Sequence, residues 1–198
     1  MASTAAKDMD FVDLGLPSGL KWAKGNLVKT GSSYAIGEET DWGTYISWGN
    51  IDGHNEGEGY NFSSNNYSSS SGYSVSANIP ASDTTHDICR ARLGAPWHLP
   101  TKKDFQELYD YTDTEWNTIN GVAGRKFMNK SDHSVFVFFP ASGLYNGTSL
   151  SNRWTNGYYW SSSFVSATHA YYMYFDSSSV YPQYYNSRRY GFTVRPVQ

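Results

Sequence analysis

From His169 to Asp176 the chain reads His-Ala-Tyr-Tyr-Met-Tyr-Phe-Asp. This is the period-two alternation of a strand whose two faces meet different surroundings. The pattern assigns Ala170, Tyr171, Met173 and Phe175 to an anchored face and leaves His169, Tyr172, Tyr174 and Asp176 on a presented one. The adjacent Ala170-Tyr171 pair then requires a bulge or a strand start at that point. A turn at Ser177-Ser178-Ser179 leads to Val180 and a run holding Tyr181, Tyr184, Tyr185, Asn186 and Ser187. A closing strand follows from Tyr190 to Val197, with Phe192 and Val194 on one side. Tyr gives large, rigid, amphipathic contact area at little entropic cost, and Ser and Asn add adaptable hydrogen bonds, so the outward positions have the composition of a binding surface. No Lys or Glu occurs after Lys130, although both are common before it.

The 198 residues suit one domain over 1–198, with residues 1–10 as a flexible leader and 144–190 as the ligand-binding region. A net charge of -3 gives no electrostatic reason to expect nucleic acid or an anionic membrane as partner. Cys89 is the single cysteine, so an internal disulfide and a Cys-rich metal site are both excluded. No apolar run approaches membrane-spanning length and no signal-peptide pattern is found, so membrane insertion is not expected.

In chain order, Phe11 to Ala23 reads as two short strands joined at Pro17-Ser18-Gly19. Ser33 to Gly37 and Asp41 to Gly49 suit a short strand or an ordered loop. Asn50 to about Ala81 turns polar and Gly/Ser-rich, with the run Ser68-Ser-Ser-Ser-Gly, and reads as a surface excursion outside the core. Within it, Asp52, Asn55, Glu56 and Glu58 are oxygen ligands that could wrap a calcium ion, but their spacing fits no defined loop and a solvated acidic loop leads. Asp83 to Leu93 reads as a short helix capped at Asp83 or Thr85 and ended by Gly94, with Cys89 as a buried, inert thiol. Thr101-Lys-Lys-Asp104 opens a second helix with a capping box, running to about Tyr111 and burying Phe105 and Leu108, with Trp97 and Trp116 as core anchors on either side. Gly121 to Met128 and Ser134 to Pro140 read as paired strands, and the apolar run Val135 to Phe139 predicts a central strand buried on both faces. Leu144 to Asn156 reads as a polar loop near the terminal surface.

Several dispersed strings together resemble one family: Asp13-Leu-Gly-Leu-Pro-Ser-Gly-Leu-Lys-Trp-Ala, Trp97-His-Leu-Pro-Thr101, Phe139-Pro-Ala-Ser-Gly143, Gly157-Tyr-Tyr-Trp-Ser-Ser and Gly191-Phe-Thr-Val-Arg-Pro-Val. They are similar to the Fibrobacter succinogenes major paralogous domain, found in gut Bacteroidetes and their phages. The resemblance implies an α+β fold of the C-type lectin kind, in its formylglycine-generating-enzyme-like form, with two short helices on small antiparallel sheets and long loops. The end of the chain also resembles the variable region of proteins diversified by retroelements. There, adenine-directed mutagenesis of Asn-type codons cannot produce Lys, Glu, Gln, Met or Trp. The corresponding positions are Val165, Ala167, Thr168, His169, Tyr172, Tyr174, Asp176, Ser178, Ser179, Tyr181, Tyr184, Tyr185, Asn186, Ser187 and Tyr190, and none holds an excluded residue. With Tyr145 they form the expected ligand-binding set.

The expected activity is ligand binding rather than catalysis: an adhesin or receptor-binding protein, extracellular on a bacterial surface or phage virion, meeting a protein or glycan. No cofactor is expected, and the oligomeric state is left open. Two alternatives stand beside it. A calcium-dependent lectin would need an acidic triplet where Tyr181-Pro-Gln stands and an acidic residue where Trp154-Thr-Asn stands. A formylglycine-generating-type enzyme would need a reactive cysteine, and kinship of fold does not carry the site.

Overall fold

The computed structural model describes residues 10–64 and 74–198. The leader over 1–9 and the Ser68-Ser-Ser-Ser-Gly run lie outside the described residues. The architecture is α+β: two short helices and a set of small antiparallel sheets. The opening hairpin pairs β1 (Phe11–Val12) with β2 (Trp22–Ala23), and a second pairs β3 (Leu27–Thr30) with β4 (Ser33–Ile36). Helices α1 (Ile88–Leu93) and α2 (Lys102–Tyr111) follow. A three-stranded meander is then formed by β5 (Thr112–Ile119), β6 (Val122–Asn129) and β7 (Phe136–Pro140), followed by a hairpin of β8 (Leu144–Asn146) and β9 (Ser149–Ser151). The last sheet, in the order β10-β11-β12, comprises β10 (Gly157–Phe164), β11 (His169–Phe175) and β12 (Val180–Ser187). No helix among the described residues is long and apolar enough to cross a membrane.

Helix α2 starts where its capping box requires: the Thr101 hydroxyl accepts from the Asp104 amide while the Asp104 carboxylate accepts from the Thr101 amide. Helix α1 is capped by Asp87 rather than by Asp83 or Thr85. Asp83 instead folds the preceding turn by accepting from the Thr85 and His86 amides and pairing with His86 at 3.0 Å. Asp87 accepts from Arg90 N and, across the chain, from Leu99 N. Burial pushes its carboxyl up to about 6, against the pull of those hydrogen bonds. Gly94 ends the helix at φ +78°, a conformation that favours glycine.

Sheet β10-β11-β12 lies between two apolar clusters, so consecutive residues of β10 serve opposite sides. Tyr159 joins Met173, Phe175, Phe105, Leu108, Phe127 and Trp22 in one cluster, and Tyr158 and Trp160 join Ala170, Tyr172, Trp48, Phe192 and Val194 in the other. Trp160, Phe175, Phe192 and Val194 are all buried, as the strand phase requires. Two glycines are set by these rings: a Cβ on Gly157 would meet the Phe175 ring at 2.1 Å, and one on Gly191 the Phe62 ring at 2.6 Å.

Several expectations are corrected by this packing. Ala170 shares a face with Tyr172 and Tyr174, not with Met173 and Phe175, because the second face of β11 is also covered. The bulges therefore lie not in β11 but in its neighbours. Trp160 pairs with Tyr172 while Phe164 pairs with Ala170, so β10 holds two extra residues among Ser161–Ser163. Their freed backbone groups bond elsewhere: Ser162 N donates to Pro100 O, and Ser162 O accepts from Ile79 N. The run Val135 to Phe139 forms an edge strand, not a central one, since β6 is the middle of its sheet. It is buried because the C-terminal segment covers it: Arg195 donates to Phe138 O and lies 4.5 Å over the Phe139 ring. Burial lowers the Arg195 pKa to about 10, still charged at neutral pH, and its other donors reach Ala23 O, Lys24 O and Asn26 Oδ1.

Residues 190–197 do not form one closing strand. They make single bridges to five different segments, through Ile46, Tyr145, Tyr159, Trp22 and His98. The polar excursion contributes to the core after all, through Phe62 and Ile79, exposed 1% and 3%. Trp97 and Trp116 are only half-buried, and Trp22, Trp48 and Trp160 fill the anchoring role. Strand β5 is an addition: its polar alternation, Thr-Asp-Thr-Glu-Trp-Asn-Thr-Ile, carries too little apolar signal to stand out.

Candidate ligand-binding groove

A groove of about 690 Å³ opens between β11–β12 and the β8–β9 hairpin. Its floor is Tyr158 and Tyr172, whose rings stack at 5.9 Å and whose exposures are 7% and 2%. One wall is Tyr174, Tyr181 and Tyr184, the other Leu144, Asn146, Ser151 and Asn152. Asp176, Asn186 and Tyr190 complete the lining.

The tyrosine wall depends on a bulge. Tyr172 pairs with Tyr184 but Tyr174 pairs with Tyr181, so a two-residue step in β11 faces a three-residue step in β12, with Pro182 and Gln183 inside it. In a regular strand Tyr181 and Tyr184 would point to opposite faces. The extra residue puts both on the groove side. Pro182 fits there because β12 is the sheet edge, where a missing N–H breaks no ladder. Gln183 donates to Gln106 Oε1 on α2 at 3.2 Å, tying the bulge to the helix.

Polar groups brace the rings. Asn152 donates to the Tyr158 hydroxyl at 3.0 Å and Asn156 to the Tyr174 hydroxyl at 2.5 Å, while the Tyr174 hydroxyl donates to Asp176 Oδ2 at 3.0 Å. Asp176 Oδ1 accepts from Ser178 N, Ser179 N and Ser178 Oγ, which closes the β11–β12 turn. Burial pushes the Asp176 carboxyl up, but these hydrogen bonds outweigh it and hold the group below the usual aspartate range. The Tyr174 phenol is pushed up to about 12 by burial and by its bond to that carboxylate, and burial also raises Tyr172. Both are neutral donors at any physiological pH. Arg125 of β6 donates to Asp176 O at 2.8 Å and ties the turn to the other sheet.

Residues 108–197 are matched by the family model described as Domain of unknown function (DUF8237). No curated protein and no solved structure matched the chain. The matched range begins in the last turns of α2 and holds both walls of the groove, leaving β1 to β4 and α1 outside it.

Seven of the sequence-predicted residues line the groove: Tyr172, Tyr174, Asp176, Tyr181, Tyr184, Asn186 and Tyr190. Tyr172 does so as floor, not as a projecting side chain, since Trp160 and Phe192 pack beneath it. Tyr185 pairs with Tyr171 on the opposite face and stands outside the lining, 57% exposed, with His169 edge-on at 6.1 Å. Val165, Ala167 and Thr168 form the β10–β11 turn, where the Thr168 hydroxyl and His169 Nδ1 are 2.8 Å apart. Ser187 pairs with His169 beside that turn. Ser178 and Ser179 close the turn at the other end and border a separate hollow with Arg125 and Tyr109. Tyr145 faces away into a cluster with Tyr45 and Phe62. Its strand neighbours Leu144 and Asn146 face the groove instead.

These neighbours, with Ser151, Asn152 and Tyr158, were not singled out from the sequence. The Asn146-Gly147-Thr148 turn carried a usable signal, because a two-residue hairpin loop fixes the alternation of β8 and places Asn146 opposite in phase to Tyr145. The carboxylates of the acidic loop go to separate cations, Asp52 to Arg92, Glu56 to Arg153 and Glu58 to Lys29, and Glu58 also meets the His54 ring at 3.3 Å. Among the described residues no group of three or more His, Cys, Asp or Glu is placed to hold a metal. Cys89 is fully buried, and burial, with the nearby Asp87 carboxylate, raises its thiol well above the ordinary range.

Proposed function

We propose that this protein is a ligand-binding module, an adhesin or receptor-binding protein built on a C-type-lectin-like scaffold, and that the β11–β12 groove is its recognition surface. One observation carries the reading. Strand β12 holds an extra residue that turns Tyr181 and Tyr184, 49% and 51% exposed, onto the same open face, and their neighbours are braced by hydrogen bonds. Exposed, pre-oriented aromatics of this kind usually carry most of an interface's energy. The proposal includes retroelement-type diversification. In its support, Trp160 and Met173, which Asn-codon mutagenesis could not write, are core residues, while Tyr181, Tyr184 and Asn186, which it could, line the groove. A reverse-transcriptase gene and a near-identical repeat in the neighbouring DNA would test that part.

The binding part is tested with two probe sets, a displayed random-peptide library and a printed oligosaccharide array. Any retained probe is then titrated against wild type and Tyr184→Ala, with thermal melts of both. The expected loss is about 1–3 kcal/mol of affinity with little change in stability. Equal affinity for the two proteins would remove the groove from recognition.

A further inference from the structure

We infer that the groove takes a neutral oligosaccharide and holds it without a metal ion. The inference rests on the groove being the recognition surface, and narrows it to one ligand chemistry.

Charge excludes most alternatives. None of the twelve lining residues is Lys, Arg or His, and the only ionised one is Asp176. A phosphate, sulfate or sialic acid would therefore lose its hydration with no cation to replace it, beside a carboxylate. The Asp176 oxygens are already engaged by Ser178, Ser179 and Tyr174, so they offer little to a cation either. The rings form one connected surface. Tyr174, Tyr181 and Tyr184 lie 5.8 to 6.2 Å from one another, centroid to centroid, tilted by 41° to 47°. Aromatic rings roughly 4.5–7 Å apart are in contact with each other. They make a continuous aromatic wall that meets the Tyr158–Tyr172 floor at 67° and 78°.

An aromatic wall and floor of this kind suit a sugar. The C–H edges of a pyranose carry slight positive charge and meet the negative faces of the rings. Its hydroxyls both donate and accept, as do the Asn146 and Asn186 amides across the groove and the tyrosine hydroxyls. Scale agrees. The volume of about 690 Å³ falls within the roughly 300–1,000 Å³ of small-ligand sites.

The test is a printed array pairing neutral oligosaccharides with their sialylated and sulfated forms. It is probed with wild type, Tyr184→Ala, Asn186→Ala and, as a control for losing an exposed tyrosine elsewhere, Tyr111→Ala, all with chelator present and with melting curves to confirm folding. The expected result is retention of neutral sugars that survives chelator and Tyr111→Ala and falls at least tenfold in Tyr184→Ala and Asn186→Ala. Retention of only the anionic forms, dependence on added calcium, or no retention overturns the sugar assignment. In each of those cases a library peptide whose affinity falls in Tyr184→Ala would still keep the groove as the binding surface. Neutral sugars bound equally by wild type and both groove variants would overturn the sugar assignment and the groove together.

Discussion

The two three-stranded sheets have the same antiparallel meander and different regularity and exposure. In β5-β6-β7 the β5–β6 ladder runs without interruption over all eight residues of each strand, and outward positions carry charge, with Glu115 facing Lys126. In β10-β11-β12 both ladders are interrupted, Lys and Glu are absent, and tyrosines occupy the open side. The regular sheet is wetted along β5, while β7 is covered on both faces. The interrupted one is covered on both faces at its β10 side and opens only where the bulge in β12 turns Tyr181 and Tyr184 outward. A bulge re-aims a side chain without changing the fold: in β12 it turns tyrosines outward, while in β10 it frees backbone groups that bond other segments in the interior.

If the sheets differ in regularity and exposure and not in the strength of their cores, large truncations should hurt both alike. Trp160→Ala in one and Phe127→Ala in the other should each cost roughly 3–5 kcal/mol in urea unfolding. A cost below about 1 kcal/mol for Trp160→Ala alone would show the groove sheet to be an appendage. Within that sheet, the buried Tyr172 and the exposed Tyr184 should separate next. Tyr172→Ala should lose roughly 2–4 kcal/mol of stability through the cavity it leaves against Trp160 and Phe192, whereas Tyr184→Ala should stay within about 0.5–1 kcal/mol. Similar melting of the two variants would break the distinction between floor and wall.

Deleting Pro182 should convert the interrupted ladder toward the regular kind. The protein should still fold, with a change of about 1 kcal/mol, while Tyr181 rotates to the α2 face and affinity for a groove ligand falls at least tenfold. Unaltered affinity would show that the bulge is not what orients the wall. The smallest effect concerns Asp176. Its folded pKa lies below the unfolded value, so its contribution to stability is present at neutral pH and is lost as pH falls through the folded pKa. Melting temperature should thus drop slightly more in wild type than in Asp176→Asn between pH 5 and pH 3. Parallel curves would mean that the turn does not depend on the ionised form.

Much of the local structure could be read from residues in sequence. The Thr101–Asp104 capping box, the Gly94 stop, the opening hairpin and the pairing of β6 with β7 each follow from side chains a few positions apart. The Tyr-, Ser- and Asn-rich composition of the groove side, with Tyr184 and Asn186, could also be read from the sequence. The β8–β9 wall was legible only as a polar loop, because Leu144, Asn146, Ser151 and Asn152 have no pattern in common until the hairpin closes.

What the chain alone determined is periodicity, capping and composition, since these are properties of neighbouring residues. Tertiary structure decided three things. Tyr172 is buried because Trp160 and Phe192 cover a face that alternation had marked as open. The run Val135 to Phe139 is an edge strand hidden by Arg195, which lies some sixty residues away. Tyr181 faces the groove because β12 has one residue more than β11 between paired positions, and an excess of that kind exists only once two strands are in register. Covering, edge position and register are relations between distant segments, and a local pattern cannot specify them.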